Sequence, residues 1–160
     1  MNNEQLSLKQ IIDNRIKKLN DLINSGINPY PNNYKKQNNI EYLISNQNKL
    51  INKKVGTAGR IISQRKMGKV TFITLQDNSY KIQLFVKKDL LPESLYNDLV
   101  KKLDIGDIIG TSGDLFYTKT NELSIKSYQL TILSKAIRPL PNLKEKDGKI
   151  FFSFDDKEQR

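Results

Sequence analysis

The chain of 160 residues contains no cysteine and no histidine. The first absence excludes disulfides and thiol nucleophiles, and the two together exclude Cys/His metal sites. The second removes Ser-His nucleophiles and imidazole acid–base chemistry. No apolar run exceeds three residues, so no stretch is long enough to span a bilayer. The N-terminal segment Met1-Asn-Asn-Glu-Gln5 is polar and lacks the apolar stretch of a signal peptide. A soluble, cytoplasmic protein is expected.

What the chain does have is charge of one sign. Lys and Arg number 27 against 17 Asp and Glu, a net charge of +10. A surplus of that size predicts attraction to a polyanion, of which nucleic acid is the commonest soluble example. The same composition fits a solubilising Lys-rich surface, and the many Asn, Ile and Lys residues fit an AT-rich genome. Composition leaves both readings open. The charge is unevenly placed: residues 51–140 carry 15 basic and 8 acidic side chains, whereas residues 141–160 carry 5 of each. A polyanionic partner belongs on the middle segment. With 37% apolar residues the chain can build one modest core.

Residues 7–24 read as a helix. Ser7 and Gln10 have the spacing of a capping box, Leu8, Ile11, Ile12, Ile16, Leu19, Leu22 and Ile23 recur at helical period, and Gly26 is the stop. Gly26-Ile-Asn-Pro-Tyr-Pro31 is extended because each proline forbids helix and restrains its predecessor. Residues 32–39 are a polar loop, and a second helix is expected from Ile40 to about Lys49.

From Val55 the apolar period becomes two. Strands are predicted over 55–65, 70–76, 80–87, 108–117 and 123–133, with turns at 66–69, 77–79 and 119–122. Gly56 and Gly59 allow the first strand to bend. Between the third and fourth strands, residues 89–103 return to helical spacing. Three strands in a meander, a helix and two further strands make a mainly β chain whose order is that of the five-stranded OB barrel, preceded by a helical segment. The expected organisation is a helical extension over 1–50, the barrel over 51–140 and an irregular linker over 141–160.

Strand alternation nominates a working face. Ile82, Leu84 and Val86 share one side of the third strand and must face the interior, as must Thr71, Ile73 and Leu75 of the second. Phe72, Gln83 and Phe85 are left outside, among Arg65, Lys66, Lys69, Lys81 and Lys87. Rings among cations suit single-stranded nucleic acid: rings stack on unpaired bases while cations hold phosphates. For Phe85 two fates stay open, stacking on a base or packing beneath the N-terminal helices.

A series of short motifs carries a family resemblance. They are Gly26-Ile-Asn-Pro-Tyr-Pro31, Ala58-Gly-Arg-Ile61, Arg65-x-Met-Gly-Lys69 and Thr71-Phe-Ile-Thr-Leu-Gln-Asp77. Ile82-Gln-Leu84, Gly106-Asp-Ile108, Phe116-x-Thr-Lys-Thr-x-Glu-Leu-Ser124 and Ser134-Lys-Ala-Ile-Arg-Pro-Leu-Pro141 continue the series. In order and spacing they resemble the N-terminal anticodon-binding domain of lysyl-tRNA synthetases, a class II aminoacyl-tRNA synthetase family, over essentially the whole chain. The terminal Asp155-Asp-Lys-Glu-Gln-Arg160 resembles the approach to that family's catalytic domain. Residues 142–154 are longer than the short connection of many relatives and read as a loop insertion, with Ile150, Phe151, Phe152 and Phe154 as candidates to pack on that domain.

The resemblance implies recognition of a uridine-rich lysine anticodon. It implies Phe72 as the stacking aromatic, Gln83 as the base-reading amide, Arg65 as a donor to a carbonyl or phosphate, and Glu122 as an acceptor for uracil N3–H. Lys66, Lys69, Phe85, Lys87 and Lys119 are candidates for positioning the backbone, while Gln64 stands where relatives often carry a second Arg. No catalytic residue and no cofactor is expected within these residues. For the full-length parent the resemblance implies charging of tRNA with lysine using ATP and Mg2+, and assembly as a homodimer. Aspartyl and asparaginyl synthetases share the Phe and Gln pattern and are the nearest rivals. A free-standing OB-fold binder of single strands and a purely structural module are the others.

Overall fold

The computed structural model describes residues 6–139, 142–146 and 149–153. Helix α1 (Leu8–Asn24) opens with the expected capping box: the Gln10 amide donates to Ser7 Oγ at 3.2 Å and the Ser7 amide to Gln10 Oε1 at 2.9 Å. It ends before Gly26, whose φ of +82° is the left-handed conformation that glycine adopts without strain. The second expected helix is split into α2 (Ile40–Ser45) and α3 (Gln47–Leu50). The break falls at Asn46, whose side-chain amide donates to the Tyr42 carbonyl at 2.9 Å, a local bond that competes with helix continuation.

Five strands follow: β1 (Lys54–Met67), β2 (Val70–Asp77), β3 (Tyr80–Lys87), β4 (Ile108–Tyr117) and β5 (Leu123–Ser134). They close into a barrel in the order β1-β2-β3-β5-β4. The long β1 pairs with β4 through its first half and with β2 through its second, Arg60 belonging to both ladders. All neighbours are antiparallel except β3 and β5, which run parallel and complete the closure. Ile73, Leu75, Leu84, Val86, Leu115 and Ile125 fill the interior and are fully buried. The inward face is the one that alternation predicts.

Two expectations need correction. Residues 89–103 are not one helix: a 3-10 turn at Lys88–Leu90, helix α4 (Glu93–Asp98) and a second 3-10 turn at Val100–Lys102 replace it. Pro92 caps α4 and cannot lie inside a continuous helix, while Leu91, Tyr96, Leu99, Val100 and Leu103 are buried as the apolar spacing requires. Nor is the segment after the barrel wholly irregular. Strands β6 (Asn142–Lys146) and β7 (Lys149–Ser153) pair antiparallel. Leu140, Pro141 and residues 154–160 lie outside the described residues, as does the expected packing of the 150–154 aromatics.

A buried charge cluster joins α1 to the barrel. Lys135 Nζ, with a fully buried side chain, donates to both Asp107 oxygens at 2.9 and 3.0 Å and to Asp104 Oδ2 at 2.8 Å. Lys18 of α1 reaches Asp104 Oδ1 at 2.7 Å, and Asp107 also accepts from the Asp104 and Ala136 amides. Burial pushes the Asp107 carboxyl up from its ordinary pKa against the pull of Lys135. Burial also raises Asp104, but the hydrogen bonds and charges of Lys135 and Lys18 outweigh it and hold that carboxyl below its ordinary value. Removing the central cation leaves two carboxylates, that of Asp107 fully buried, without their shared counter-charge. Lys135→Met is expected to cost about 3–5 kcal/mol. For a chain of this size that lowers the melting temperature by roughly 10 °C. Thermal unfolding followed by circular dichroism reads the loss.

Candidate nucleic-acid interface

Cross-strand register brings the outward side chains of four strands into rows. Arg65 of β1 stands opposite Phe72 of β2, Phe72 opposite Phe85 of β3, and Phe85 opposite Lys126 of β5. A second row runs from Gln83 of β3 to Ser124 of β5 and Phe116 of β4. With the turn after β4 these residues line one open groove of about 740 Å³, walled by Arg65, Met67, Phe72, Gln83, Phe85, Lys87, Phe116, Lys119, Glu122 and Lys126 among others. Four cations and a single carboxylate line it.

The rings form a continuous strip. Phe72 and Phe85 meet edge to face with centroids 5.7 Å apart, and Phe85 and Phe116 do the same at 5.8 Å. A cation lies over each outer ring, the Arg65 guanidinium 5.2 Å from the Phe72 centroid and Lys126 Nζ 5.0 Å from that of Phe116. Behind Gln83 lies the buried Ser124 hydroxyl, 3.4 Å from its Oε1 and 3.2 Å from the Glu122 carbonyl, two acceptors that share its one proton. The turn after β4 is tied by Thr118, whose amide donates to the Glu122 carbonyl at 3.0 Å and whose hydroxyl accepts from the Glu122 amide at 3.1 Å. Asn121 takes a left-handed φ of +65° between them. Glu122 is thereby fixed by its backbone and exposed by its side chain, with no ion pair among the described residues.

Arg65, Phe72, Gln83 and Glu122, nominated separately in the sequence, meet in this groove together with Phe85, Lys87 and Lys119. The two fates left open for Phe85 resolve in favour of the groove, where its ring contacts are Phe72 and Phe116. Lys66 stands apart from them. It alternates with Arg65 on β1 and therefore lines a separate pocket with Gln64, Thr71, Tyr96 and Lys101. Lys69 is exposed in the hairpin turn and outside the groove's lining. Sequence reasoning missed Met67, Phe116 and Lys126. The inward Leu115 and Ile125 already assign their neighbours Phe116 and Lys126 to the outside, but only the β3–β5 closure brings those neighbours beside Phe85.

The family model described as "OB-fold nucleic acid binding domain" matches residues 55–133, the barrel itself. The barrel of this chain is thus an OB-fold domain. Among curated relatives, a lysine–tRNA ligase of Porphyromonas gingivalis is 42% identical over 171 residues, an alignment that takes in 100% of this chain and 29% of the relative. A heat-inducible lysine–tRNA ligase of Escherichia coli K12 is 43% identical over 147 residues, covering 88% of this chain and 29% of the relative. A lysine–tRNA ligase of Mannheimia succiniciproducens is 57% identical over 88 residues, covering 55% and 18%. The chain spans about 29% of the length of the first two relatives. No helix among the described residues is long and apolar enough to cross a membrane.

The β4–β5 ladder that carries Phe116 and Lys126 has a bulge between Ser112 and Gly113. A Cβ on Gly113 would lie 1.8 Å from the Lys126 carbonyl oxygen and 3.0 Å from Ser127 Cα, both backbone atoms that cannot swing aside. Gly113→Ala is expected to destabilise the barrel by about 2 kcal/mol or more. Urea unfolding measures it as a lower midpoint.

Proposed function

We propose that this chain is the anticodon-recognising part of a lysine–tRNA ligase and holds the uridine-rich anticodon of lysine tRNA across the groove. The observation that carries the reading is the convergence of a ring, an amide, a guanidinium and a lone carboxylate on one exposed face. Each has a task that unpaired uridine requires. The Phe72 ring offers a stacking surface, worth about 1–3 kcal/mol per base in single-strand binders. A uracil edge has two carbonyls and one N3–H, so it needs donors and one acceptor. Gln83 and Arg65 donate, and Glu122 accepts. Cytosine has an acceptor at N3 and an exocyclic amine, and it fits this arrangement less well. Glu122 stands in a positive groove that attracts phosphates, where a carboxylate opposes binding unless a base donates to it. Lys87, Lys119 and Lys126 meet the phosphates, which positions the strand without reading it.

In this reading charging with lysine is an activity of the whole protein, as are its use of ATP and Mg2+ and its assembly as a homodimer. Recognition at the groove runs through none of them. The lysine assignment is supported by the three relatives named above and by the Gly26–Pro31 and Arg138–Pro141 motifs, which argue against the aspartyl and asparaginyl families.

Fluorescence anisotropy with lysine, aspartate and asparagine anticodon stem-loops over a range of salt tests the proposal. The lysine loop should bind tightest, with a log–log salt slope of roughly −2 if Lys87, Lys119 and Lys126 each meet a phosphate of a single strand. Phe72→Ala is expected to weaken the lysine loop about 5-fold or more. Gln83→Ala should narrow the preference among the three loops. Lys87→Ala should weaken all of them alike and flatten the slope by about 0.7. Equal affinity for the three loops defeats the lysine assignment, and salt-independent behaviour defeats nucleic-acid binding altogether.

A further inference from the structure

We propose that Phe116 and Lys126 form a second nucleotide station, which stacks an unpaired nucleotide farther along the same strand than the one held at Phe72. The inference rests on the anticodon-binding reading and extends it from strands β2 and β3 to β4 and β5. It comes from an internal equivalence. At one end of the ring strip Arg65 lies over Phe72 at 5.2 Å, and at the other end Lys126 lies over Phe116 at 5.0 Å. Both outer rings stand steeply across the plane of the central Phe85, at interplanar angles of 72° and 84°. The groove therefore ends in two like units, each a ring with a cation on it.

Neither member of the second unit has another evident task. Phe116 faces outward, while its neighbour Leu115 supplies the core contact and is fully buried. Lys126 stands in register with Asp114, but that carboxylate accepts from the Tyr128 hydroxyl at 2.9 Å, and Lys126 belongs to none of the ion pairs among the described residues. A free ammonium resting on a ring face is a cation ready to move to a phosphate as a base takes its place on the ring. Two contacts of under 6 Å separate the outer rings. A stacked strand rises roughly 3.4 Å per nucleotide, so about three steps cover that span, and fewer when the strand is drawn out. An anticodon with one flanking loop nucleotide has that reach. The ligand class is accordingly an unpaired RNA segment longer than the nucleotides that Phe72, Gln83 and Glu122 engage.

The test uses the lysine anticodon stem-loop and a set of loops with a single abasic position each, titrated against the 160-residue chain and its Phe116→Leu, Lys126→Gln and Phe72→Leu variants. Phe116→Leu keeps apolar bulk but removes the ring, and Lys126→Gln leaves all three rings in place should the first variant melt early. Each is expected to weaken the intact loop about 5-fold. One abasic position should abolish the effect of Phe116→Leu, and it should differ from the position that abolishes the effect of Phe72→Leu. Overturning results are an intact affinity in both Phe116→Leu and Lys126→Gln while Phe72→Leu loses binding, or a Phe116 effect that persists equally at every abasic position. Failure of the unaltered chain to bind any loop removes the anticodon reading and this proposal with it.

Discussion

The parallel pairing of β3 with β5 is the contact on which the architecture depends. It sets Leu84 beside Ile125 inside the barrel and, by the two-residue period of a strand, sets Gln83 beside Ser124 and Phe85 beside Lys126 outside. A slip of one residue would turn Leu84 and Val86 outward and bury Gln83 and Phe85, which the interior cannot accommodate without partners for the amide. Core packing and groove composition are thus fixed by one register. The closure also converts two hairpin faces, each too small to hold several nucleotides, into a single surface that reaches from Arg65 on β1 to Phe116 on β4.

Local periodicity made much of this readable before any coordinates. Tyr80–Lys87 begins and ends where alternation places it, because apolar Ile82, Leu84 and Val86 stand at every second position between turn-forming neighbours, and Ile108–Tyr117 likewise has the predicted bounds. The capping box at Ser7 needed only a three-residue spacing. What sequence could not supply was information about partners far along the chain. Phe116 and Lys126 became site residues only through their contact with β3, and Lys66 left the site only because the strand carrying Arg65 runs straight through position 67. Asp107 and Lys135 are separated by 28 positions, and nothing in either neighbourhood announces that both are buried. Pro92 was legible as a helix breaker, but the apolar spacing on both sides of it was the stronger signal and hid the interruption.

Composition left two explanations of the positive charge open, and geometry separates them in part. Many lysines are scattered over the exposed surface and need no partner. Four cations, however, gather with three rings around one groove, and two of them lie on ring faces and belong to none of the ion pairs among the described residues. A solubilising surface gains nothing from that arrangement, since a cation over a ring is less hydrated than one in water. A polyanion with flat, unpaired bases gains from both members of each pair.

The groove is also ordered before any ligand arrives. The central ring is wedged between two others, Gln83 rests against a buried hydroxyl, and the turn carrying Glu122 is closed by its own hydrogen bonds. Immobilising a mobile side chain on binding costs about 0.5–1.5 kcal/mol, and stacking one base returns about 1–3 kcal/mol. A loop of loose side chains would lose much of that return to ordering. Fixing the rings and the amide on strands leaves the long Arg and Lys side chains as the principal groups still to be ordered, and these are the ones that meet phosphates wherever the strand presents them. Rigid groups therefore stand where bases are to be distinguished, and flexible ones where only charge must be met.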